Sequence, residues 1–188
     1  TWGEMVNLLH TMESGRYSTN KSTFFLLSVL CAAGNETWAQ GVVFKSRLWD
    51  VNQKSLYLQN NELIAGYLQA PNSALEEKIF WIRNRAFGQE HFPVILSIQG
   101  GKSSLACSPG SPPELQLESV NITDLCKDKE VSTRFTFFMS NKGGVWRFES
   151  AAHPGWFLCT SSKANEPIGL INNPGSSHLV DFYFQPES

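Results

Sequence analysis

Short apolar runs alternate with polar residues along the chain from Arg47 onward, and clusters of Asn, Gly, Pro and Ser separate the runs. Alternation with a period of two is typical of half-buried β-strands, and helical spacing is scarce in this region. The pattern therefore predicts an all-β domain. Its twelve predicted strands cover residues 47–51, 56–58, 63–65, 78–82, 93–98, 105–107, 115–117, 134–139, 146–150, 157–159, 168–170 and 180–185.

The predicted strands group into three related units of about 50 residues, each containing one strand, a hairpin and a further strand. A single open sheet of twelve strands would expose long edges that promote aggregation, whereas a closed barrel removes most of them. The sequence therefore predicts a β-trefoil, in which a six-stranded barrel with pseudo-threefold symmetry is capped by three hairpins. A two-sheet sandwich with accidental spacing is the alternative.

The last predicted strand has Phe182 and Phe184 on one face and Tyr183 on the other, because side chains alternate along a strand. We expect the two phenylalanines in the core. Barrel closure makes the first and last strands neighbours, so Trp49 and Tyr183 are expected on a common surface. Since Trp and Tyr contribute disproportionately to protein interfaces, these two residues and Tyr67 are candidate contact residues. Ordinary core packing is the alternative for each of the three.

An apolar segment of ten residues at 24–33 is too short to cross roughly 30 Å of hydrocarbon. Basic residues precede it and small residues follow it, which is the layout of a secretory signal peptide. A buried strand or core helix is the alternative, and no membrane insertion is expected. The predicted segments are an unassigned leader at 1–11, a signal peptide at 12–39, a flexible mature N-terminus at 40–46 and the β-trefoil domain at 47–188.

Four cysteines are present, and Cys31 falls within the predicted signal peptide. The remaining Cys107, Cys126 and Cys159 cannot all pair within one chain, so a dense disulfide framework is excluded and the domain must depend on its hydrophobic core. Cys107 and Cys159 are expected as small buried apolar residues. Of three Asn-x-Ser/Thr sequons, only the one at Asn121 lies clearly inside the predicted domain, and it is the candidate for glycosylation.

The charge balance gives no support for nucleic-acid binding. The formal net charge is −2, with 15 basic and 17 acidic side chains and no run of Lys or Arg. Because affinity for nucleic acid depends on neutralising phosphates with basic side chains, we expect no nucleic-acid partner.

The chain lacks a motif for catalysis or for holding a metal. Residues 100–103, Gly-Gly-Lys-Ser, look like the end of a phosphate-binding loop, but Leu96 occupies the position of the first glycine, so a turn between strands is expected. The histidines lack zinc-ligand spacing, and the adjacent carboxylates Glu76 and Glu77 are interpreted as solvated charges beside a strand. We therefore expect no enzyme, cofactor or metal. The residues alone predict a secreted β-trefoil interaction module, with a carbohydrate-binding or protease-inhibitor trefoil as a remote alternative.

Several stretches resemble the interleukin-1 family of cytokines. They are LWDVNQKSLYLQNNELIAGYLQAPN at 48–72, LEEKI at 75–79, LQLESVNITDL at 115–125, FESAAHPGWFLCT at 148–160 and DFYFQ at 181–185. The resemblance covers essentially all of 47–188 and implies a β-trefoil, the fold that the strand pattern also predicts.

The resemblance is greatest to the receptor antagonists of this family. It implies a secreted, monomeric ligand that binds the ectodomain of the primary interleukin-1 receptor and blocks signalling, because it does not recruit the accessory receptor chain. The receptor-binding residues that the resemblance implies are Trp49, Gln53, Tyr67, Gln69 and Tyr183.

Two departures from the antagonist pattern leave a second interpretation open. Asp181 stands where the antagonists have a basic residue, and an acid at this position is associated with signalling members of the family. Asp181 is therefore a candidate determinant of agonism or antagonism. The segment 80–92 resembles the interleukin-36-like branch instead. The alternatives are an agonist cytokine and an interleukin-36-type receptor ligand with the same fold.

Overall fold

The structure is a computed structural model that describes residues 43–88 and 91–187. The predicted leader at 1–11 and signal peptide at 12–39 lie outside the described residues. The same holds for the first residues of the predicted flexible segment at 40–46.

The described residues form fourteen strands in one sheet system. The strands are β1 Phe44–Asp50, β2 Ser55–Gln59, β3 Glu62–Gly66, β4 Ile79–Arg83, β5 Pro93–Ile98, β6 Ser103–Cys107, β7 Leu115–Glu118, β8 Thr136–Lys142, β9 Val145–Ser150, β10 Phe157–Ser161, β11 Glu166–Pro167, β12 Gly169–Ile171, β13 His178–Leu179 and β14 Phe182–Pro186. The helices are a single α-helical turn, α1 Lys129–Ser132, and short 3-10 helices at Asn72–Leu75, Arg85–Phe87, Gln99–Gly101, Ile122–Lys127 and Thr133–Phe135.

Six strands close into an antiparallel barrel in the order β1, β4, β5, β8, β9 and β14, and β14 returns to pair with β1. The hairpins β2–β3, β6–β7 and β10–β12 cap the barrel. Each third of the chain thus contributes a strand, a hairpin and a strand. The predicted β-trefoil is confirmed, and closure removes the free sheet edges that an open arrangement would expose.

Every predicted strand has a counterpart, and the structure adds β11 and β13, which contain two residues each. Two residues are too few to show alternation, so the sequence pattern missed them. Strand β1 begins at Phe44, ahead of the predicted domain boundary at 47, because Phe44 pairs with Trp81 of β4 and their ring centroids lie 4.7 Å apart. Residues 44–46 therefore belong to the barrel and not to a flexible N-terminus.

Aromatic side chains fill much of the barrel interior. Phe182 and Phe184 are 0% and 4% exposed, which confirms their predicted place in the core. The ring of Phe148 lies 6.0 Å and 5.7 Å from their centroids, in edge-to-face geometry. Burying such a side chain contributes about 1.5–3 kcal/mol to stability. Other buried members of this core are Leu48, Leu56, Trp81, Leu96, Leu105, Phe137 and Leu158.

Two of the cysteines are buried free thiols, as predicted for Cys107 and Cys159. Burial raises the pKa of Cys159 to about 11, although a backbone hydrogen bond from Gly169 partly opposes this. Burial also raises the pKa of Cys107, against a hydrogen bond from the Ser150 hydroxyl. Both residues therefore remain neutral thiols at physiological pH and act as small packing residues.

Candidate interaction surface

Barrel closure places two aromatic residues from opposite ends of the domain side by side. Trp49 of β1 pairs in register with Tyr183 of β14, and their ring centroids lie 5.6 Å apart at an interplanar angle of 33°. This separation is within the range of favourable aromatic pairs. Tyr183 is 36% exposed and Trp49 is half-buried. The predicted composite aromatic surface is therefore present.

The first hairpin extends this surface to Tyr67. Trp49 pairs with Ser55 of β2, Ser55 pairs with Gly66 of β3, and Tyr67 follows directly with 55% of its surface exposed. Gly66 lies close to the Asn165 side chain, because a Cβ at this position would lie 2.3 Å from its Oδ1 and would have to displace it. Tyr67 is thus a surface residue, and core packing is excluded for it.

The two predicted glutamines occupy exposed loops beside the aromatic residues. Gln53 lies in the β1–β2 turn with a positive φ of 69°, and its backbone N–H donates to the carbonyl of Asp50. Gln69 follows β3, and its carbonyl accepts a hydrogen bond of 2.6 Å from the backbone N–H of Asn72. We name the set of half-buried Trp49 and exposed Gln53, Tyr67, Gln69 and Tyr183 the Trp49/Tyr183 surface.

A buried ion pair supports the turn that carries Gln53. Lys54 Nζ lies 2.8 Å from Oδ2 of Asp50, and both side chains are 0% exposed. The ammonium makes no hydrogen bond of acceptable angle, so its contact with the carboxylate is electrostatic. Asp50 also accepts hydrogen bonds from the backbone N–H groups of Asn52 and Lys54, and one of 2.6 Å from the Thr160 hydroxyl. Because buried charges are rare, the sequence pattern does not predict this pair.

Next to the aromatic residues, Glu76 joins two cations on the outer wall of the barrel. Arg47 donates from Nε to both carboxylate oxygens at 3.2 and 3.1 Å, and from Nη2 to Oε1 at 2.9 Å. Lys78 Nζ lies 2.8 Å from Glu76 and 2.8 Å from Glu187, and Lys45 lies 3.3 Å from Glu187. Glu76 is only 12% exposed, so the interpretation of its side chain as a solvated charge is wrong.

This network changes the pKa values of Glu76 and Arg47, and through Arg47 it contacts the indole of Trp49. Burial disfavours ionised Glu76, but hydrogen bonds from Arg47 and Lys78 outweigh burial and lower its pKa. The hydrogen bond to Glu76 likewise raises the pKa of Arg47. The guanidinium carbon of Arg47 lies 4.8 Å from the centroid of the Trp49 ring, a cation–π distance. The Trp49 ring therefore contacts both the Arg47 guanidinium and the ring of Tyr183.

Asp181 forms an ion pair that the sequence analysis did not predict. Its Oδ1 accepts a hydrogen bond of 2.6 Å from Arg147 Nε, and its Oδ2 accepts one of 3.2 Å from Nη2. The hydrogen bond to Asp181 raises the pKa of Arg147. The Asp181 side chain remains 31% exposed, so it lies at the surface with its charge compensated by a neighbour.

The predicted glycosylation residue Asn121 lies at the surface, as the N-cap of the 3-10 helix Ile122–Lys127. Its Oδ1 accepts hydrogen bonds from the backbone N–H of Thr123 at 3.1 Å and from the Thr123 hydroxyl at 2.9 Å. The bond between the two sequon side chains leaves the Asn121 amide nitrogen as the group to be modified. Glycosylation at Asn121 stays a prediction.

Residues 100–102 lie in the turn between β5 and β6, as expected, with positive φ at Gly100 and Gly101, and Ser103 begins β6. Within residues 43–88 and 91–187, no group of three or more His, Cys, Asp or Glu side chains could hold a metal ion. Over that same part of the chain, no helix has the length and hydropathy needed to cross a membrane.

A family model described as Interleukin-1 / 18 matches residues 68–184. The interleukin-1 receptor antagonist protein of Sus scrofa is 52% identical over 143 residues, which cover 75% of this chain and 78% of the relative. The protein of the same name from Homo sapiens is 49% identical over the same shares. These relatives are cytokine-family proteins and not enzymes.

Solved structures of interleukin-1 family cytokines are also similar to this chain. Chicken interleukin-1β has a TM-score of 0.68 at 33% identity, with 77% of this chain and 97% of that chain covered. The pro-inflammatory cytokine interleukin-36α has a TM-score of 0.66 at 27% identity, with 82% and 99% covered. An endo-β-galactosidase from Clostridium perfringens, at 13% identity and a TM-score of 0.55, shares the fold alone. The chain belongs to the interleukin-1 family.

Proposed function

We propose that this protein is a secreted, monomeric antagonist that occupies the primary interleukin-1 receptor through the Trp49/Tyr183 surface and does not recruit the accessory receptor chain. The pairing of Trp49 with Tyr183 across the closed barrel is the observation that carries the proposal. Relatives at 49–52% identity bear the name interleukin-1 receptor antagonist protein. The proposal includes export to the extracellular space and no catalytic activity.

The chemistry of the Trp49/Tyr183 surface suits a protein partner. Large aromatic side chains supply contact area at low entropic cost and are enriched among residues that dominate binding energy. Tyr67 and Tyr183 are among the few large hydrophobic side chains exposed in the described part of the chain. The amides of Gln53 and Gln69 flank them and can donate and accept hydrogen bonds at the rim.

The ion pair of Asp181 supports antagonism over agonism. A free carboxylate at this position would attract a cationic partner and steer its association. Here Arg147 already occupies both carboxylate oxygens, so a partner would have to displace a bidentate pair to use the charge. We infer that this side of the molecule offers the accessory chain little net negative charge.

An agonist or interleukin-36-type ligand is the second candidate. The likeness to interleukin-36α favours it, and so does a surface cluster that includes Arg83, Phe87 and Phe92. In this cluster the Arg83 guanidinium lies 4.9 Å from the Phe92 ring, and Lys129 Nζ lies 5.0 Å from the Phe87 ring. Cations over partly exposed aromatic rings can bind a protein partner, which makes the cluster a possible second receptor contact.

The proposed function is tested with the full chain, produced in secreting mammalian cells and purified from the medium. Surface plasmon resonance measures its binding to the primary interleukin-1 and interleukin-36 receptors, with and without the accessory chain. A reporter cell line measures signalling alone and in competition with interleukin-1β. We expect binding to the interleukin-1 receptor, no gain from the accessory chain, and inhibition of the reporter.

Three outcomes contradict the proposal. Activation of the reporter by the protein alone would make it an agonist. Binding to the interleukin-36 receptor only would move it to the second candidate. Retention of the protein inside the producing cells, with no cleaved product in the medium, would contradict export.

A further inference from the structure

The Trp49 side chain has two neighbours within the protein that contact its ring. The Tyr183 ring centroid lies 5.6 Å from that of the indole. The guanidinium carbon of Arg47 lies 4.8 Å from the ring centroid. Arg47 and Trp49 lie on the same outward face of β1, since side chains alternate along a strand and both are partly exposed. The conformation of Arg47 therefore bears directly on that of Trp49.

Glu76 determines where the Arg47 guanidinium lies. Arginine has a long side chain with many accessible rotamers, and a solvated arginine would not stay above one ring. A carboxylate that accepts from both Nε and Nη2 fixes the guanidinium plane as well as its position. Glu76 makes these contacts although it lies outside the regular strands and is separated from Arg47 by 29 positions.

Glu76 is itself held in place. Its second oxygen lies 2.8 Å from Lys78 Nζ, and Lys78 reaches Glu187 at the same distance. Lys45 completes the chain of charges at 3.3 Å from Glu187. The backbone N–H of Glu187 also donates to the carbonyl of Lys45 at 2.9 Å, which attaches the end of β14 to β1. Glu76 thus belongs to a chain of four charged side chains, which restricts its movement and, through Glu76, that of Arg47.

We propose that Glu76 is a positioning residue: it acts through Arg47 to hold the Trp49 indole in the orientation that the receptor contacts. The inference rests on the proposed function, because it assigns a role to Trp49 in receptor binding. A fixed anchor binds more tightly than a mobile one, since the entropy of ordering is lost before association. Glu76 makes no receptor contact of its own in this mechanism. Its effect on affinity depends on the presence of Trp49.

A double-mutant cycle tests this dependence on the full chain. We expect Glu76→Gln to weaken binding to the interleukin-1 receptor ectodomain about tenfold, because an uncharged amide cannot hold the guanidinium as a carboxylate does. In the Trp49→Ala background, the same change should have almost no further effect, since the group that it positions is absent. Arg47→Lys should resemble Glu76→Gln, because lysine keeps the charge and loses the planar fork.

A matched control and a direct readout complete the experiment. Glu118→Gln removes the carboxylate of another bidentate pair, with Arg134, and should leave affinity unchanged. The NMR signal of the Trp49 indole N–H, assigned by its loss in Trp49→Phe, should shift and broaden in free Glu76→Gln and not in Glu118→Gln. Thermal melts of the two glutamine variants should agree within a few degrees.

The outcomes separate the two proposals. If Trp49→Ala weakens binding and Glu76→Gln does not, the positioning role is wrong and the receptor surface stands. A tenfold loss for Glu76→Gln that persists in the Trp49→Ala background would also overturn the positioning role, because Glu76 would then act on the receptor or on the fold. Unchanged binding of Trp49→Ala would contradict both the proposed surface and the positioning role.

Discussion

Strand β1 carries two ion pairs that point to opposite sides of the barrel wall. Asp50 faces inward and meets Lys54, and neither side chain is exposed. Arg47 faces outward and meets Glu76, with 37% and 12% of the side chains exposed. Each pair joins a cation to a carboxylate and has one member on β1. The pairs differ in their contact with solvent and in hydrogen bonding, since only the outward pair has hydrogen bonds between its charged groups.

Because of this difference in solvent contact, the inward pair should stabilise the fold, whereas the outward pair should orient the side chains of the surface. A buried charge that loses its partner has no water to replace it, so the inward pair is coupled to folding. A partly exposed pair is weakened by water and side-chain entropy, so the outward pair contributes little to stability and can serve orientation instead. Variants of the inward pair should therefore change stability, and variants of the outer face should change binding.

The largest effect is expected for Lys54→Met. The variant leaves the Asp50 carboxylate buried without its cation, which costs about 3–5 kcal/mol of unfolding free energy in comparable pairs. Urea denaturation followed by tryptophan fluorescence measures the loss. Lys102→Met, at an exposed lysine, is the control and should change stability by less than about 0.5 kcal/mol. A small loss for Lys54→Met would remove the distinction between the two ion pairs.

The next largest effect is expected for receptor binding through the Trp49/Tyr183 surface. Trp49→Ala and Tyr183→Ala should each weaken receptor binding by about 2 kcal/mol, roughly 30-fold, because each removes an aromatic anchor. Surface plasmon resonance measures the affinity, and a thermal melt measures the stability. We expect the melting temperatures to remain close to that of the unaltered chain. A large fall in melting temperature with unchanged affinity would assign these residues to the core instead.

The backbone architecture and the aromatic surface could be predicted from the sequence because both follow from simple rules. Period-two alternation places Tyr183 on the opposite face of its strand from Phe182 and Phe184. Barrel closure then places Tyr183 beside Trp49. Tyr67 is a candidate because tyrosines are enriched at interfaces and because of the resemblance to the family; alternation does not indicate its exposure, since the four residues before it are all buried.

The ion pairs could not be predicted in this way. Arg47 and Glu76 are 29 positions apart, and Arg147 and Asp181 are 34 positions apart. Which charged side chains meet across different strands depends on register and on rotamers, and neither is encoded in the apolar pattern. The Asp50–Lys54 pair is local, but its burial contradicts the usual exposure of charges, so only the three-dimensional packing reveals it.

A smaller effect is expected where Arg147 compensates Asp181. Arg147→Ser should cost at most about 1 kcal/mol of stability, because both side chains are partly exposed. It leaves Asp181 with an uncompensated charge, so the complex with the primary receptor should acquire measurable affinity for the accessory chain. Size-exclusion chromatography with light scattering detects the ternary complex. The double variant Arg147→Ser with Asp181→Asn is the control and should not form it.

The smallest effect concerns the pH dependence of the outer network. Hydrogen bonds from Arg47 and Lys78 lower the pKa of Glu76 against the opposing effect of burial, and the hydrogen bond from Lys78 lowers that of Glu187. An unfolded chain has a glutamate pKa of about 4.3. About one pH unit or more above this value both carboxylates are ionised in either state, and their contribution to stability is present in full.

As the pH falls below about 4.3, the unfolded chain takes up protons before the folded chain does, so stability declines through the depressed folded pKa values. Glu76→Gln should therefore flatten the decline between about pH 4.5 and 3 by up to about 1 kcal/mol, measured by urea unfolding at each pH. Glu77→Gln, at the adjacent carboxylate, is the control, because Glu77 forms no salt bridge within residues 43–88 and 91–187. If both variants flatten the decline equally, the decline reflects general protonation of the surface. If only Glu76→Gln does, the network around Arg47 stays formed at a pH where free glutamates already take up protons, and the orientation of Trp49 should persist with it.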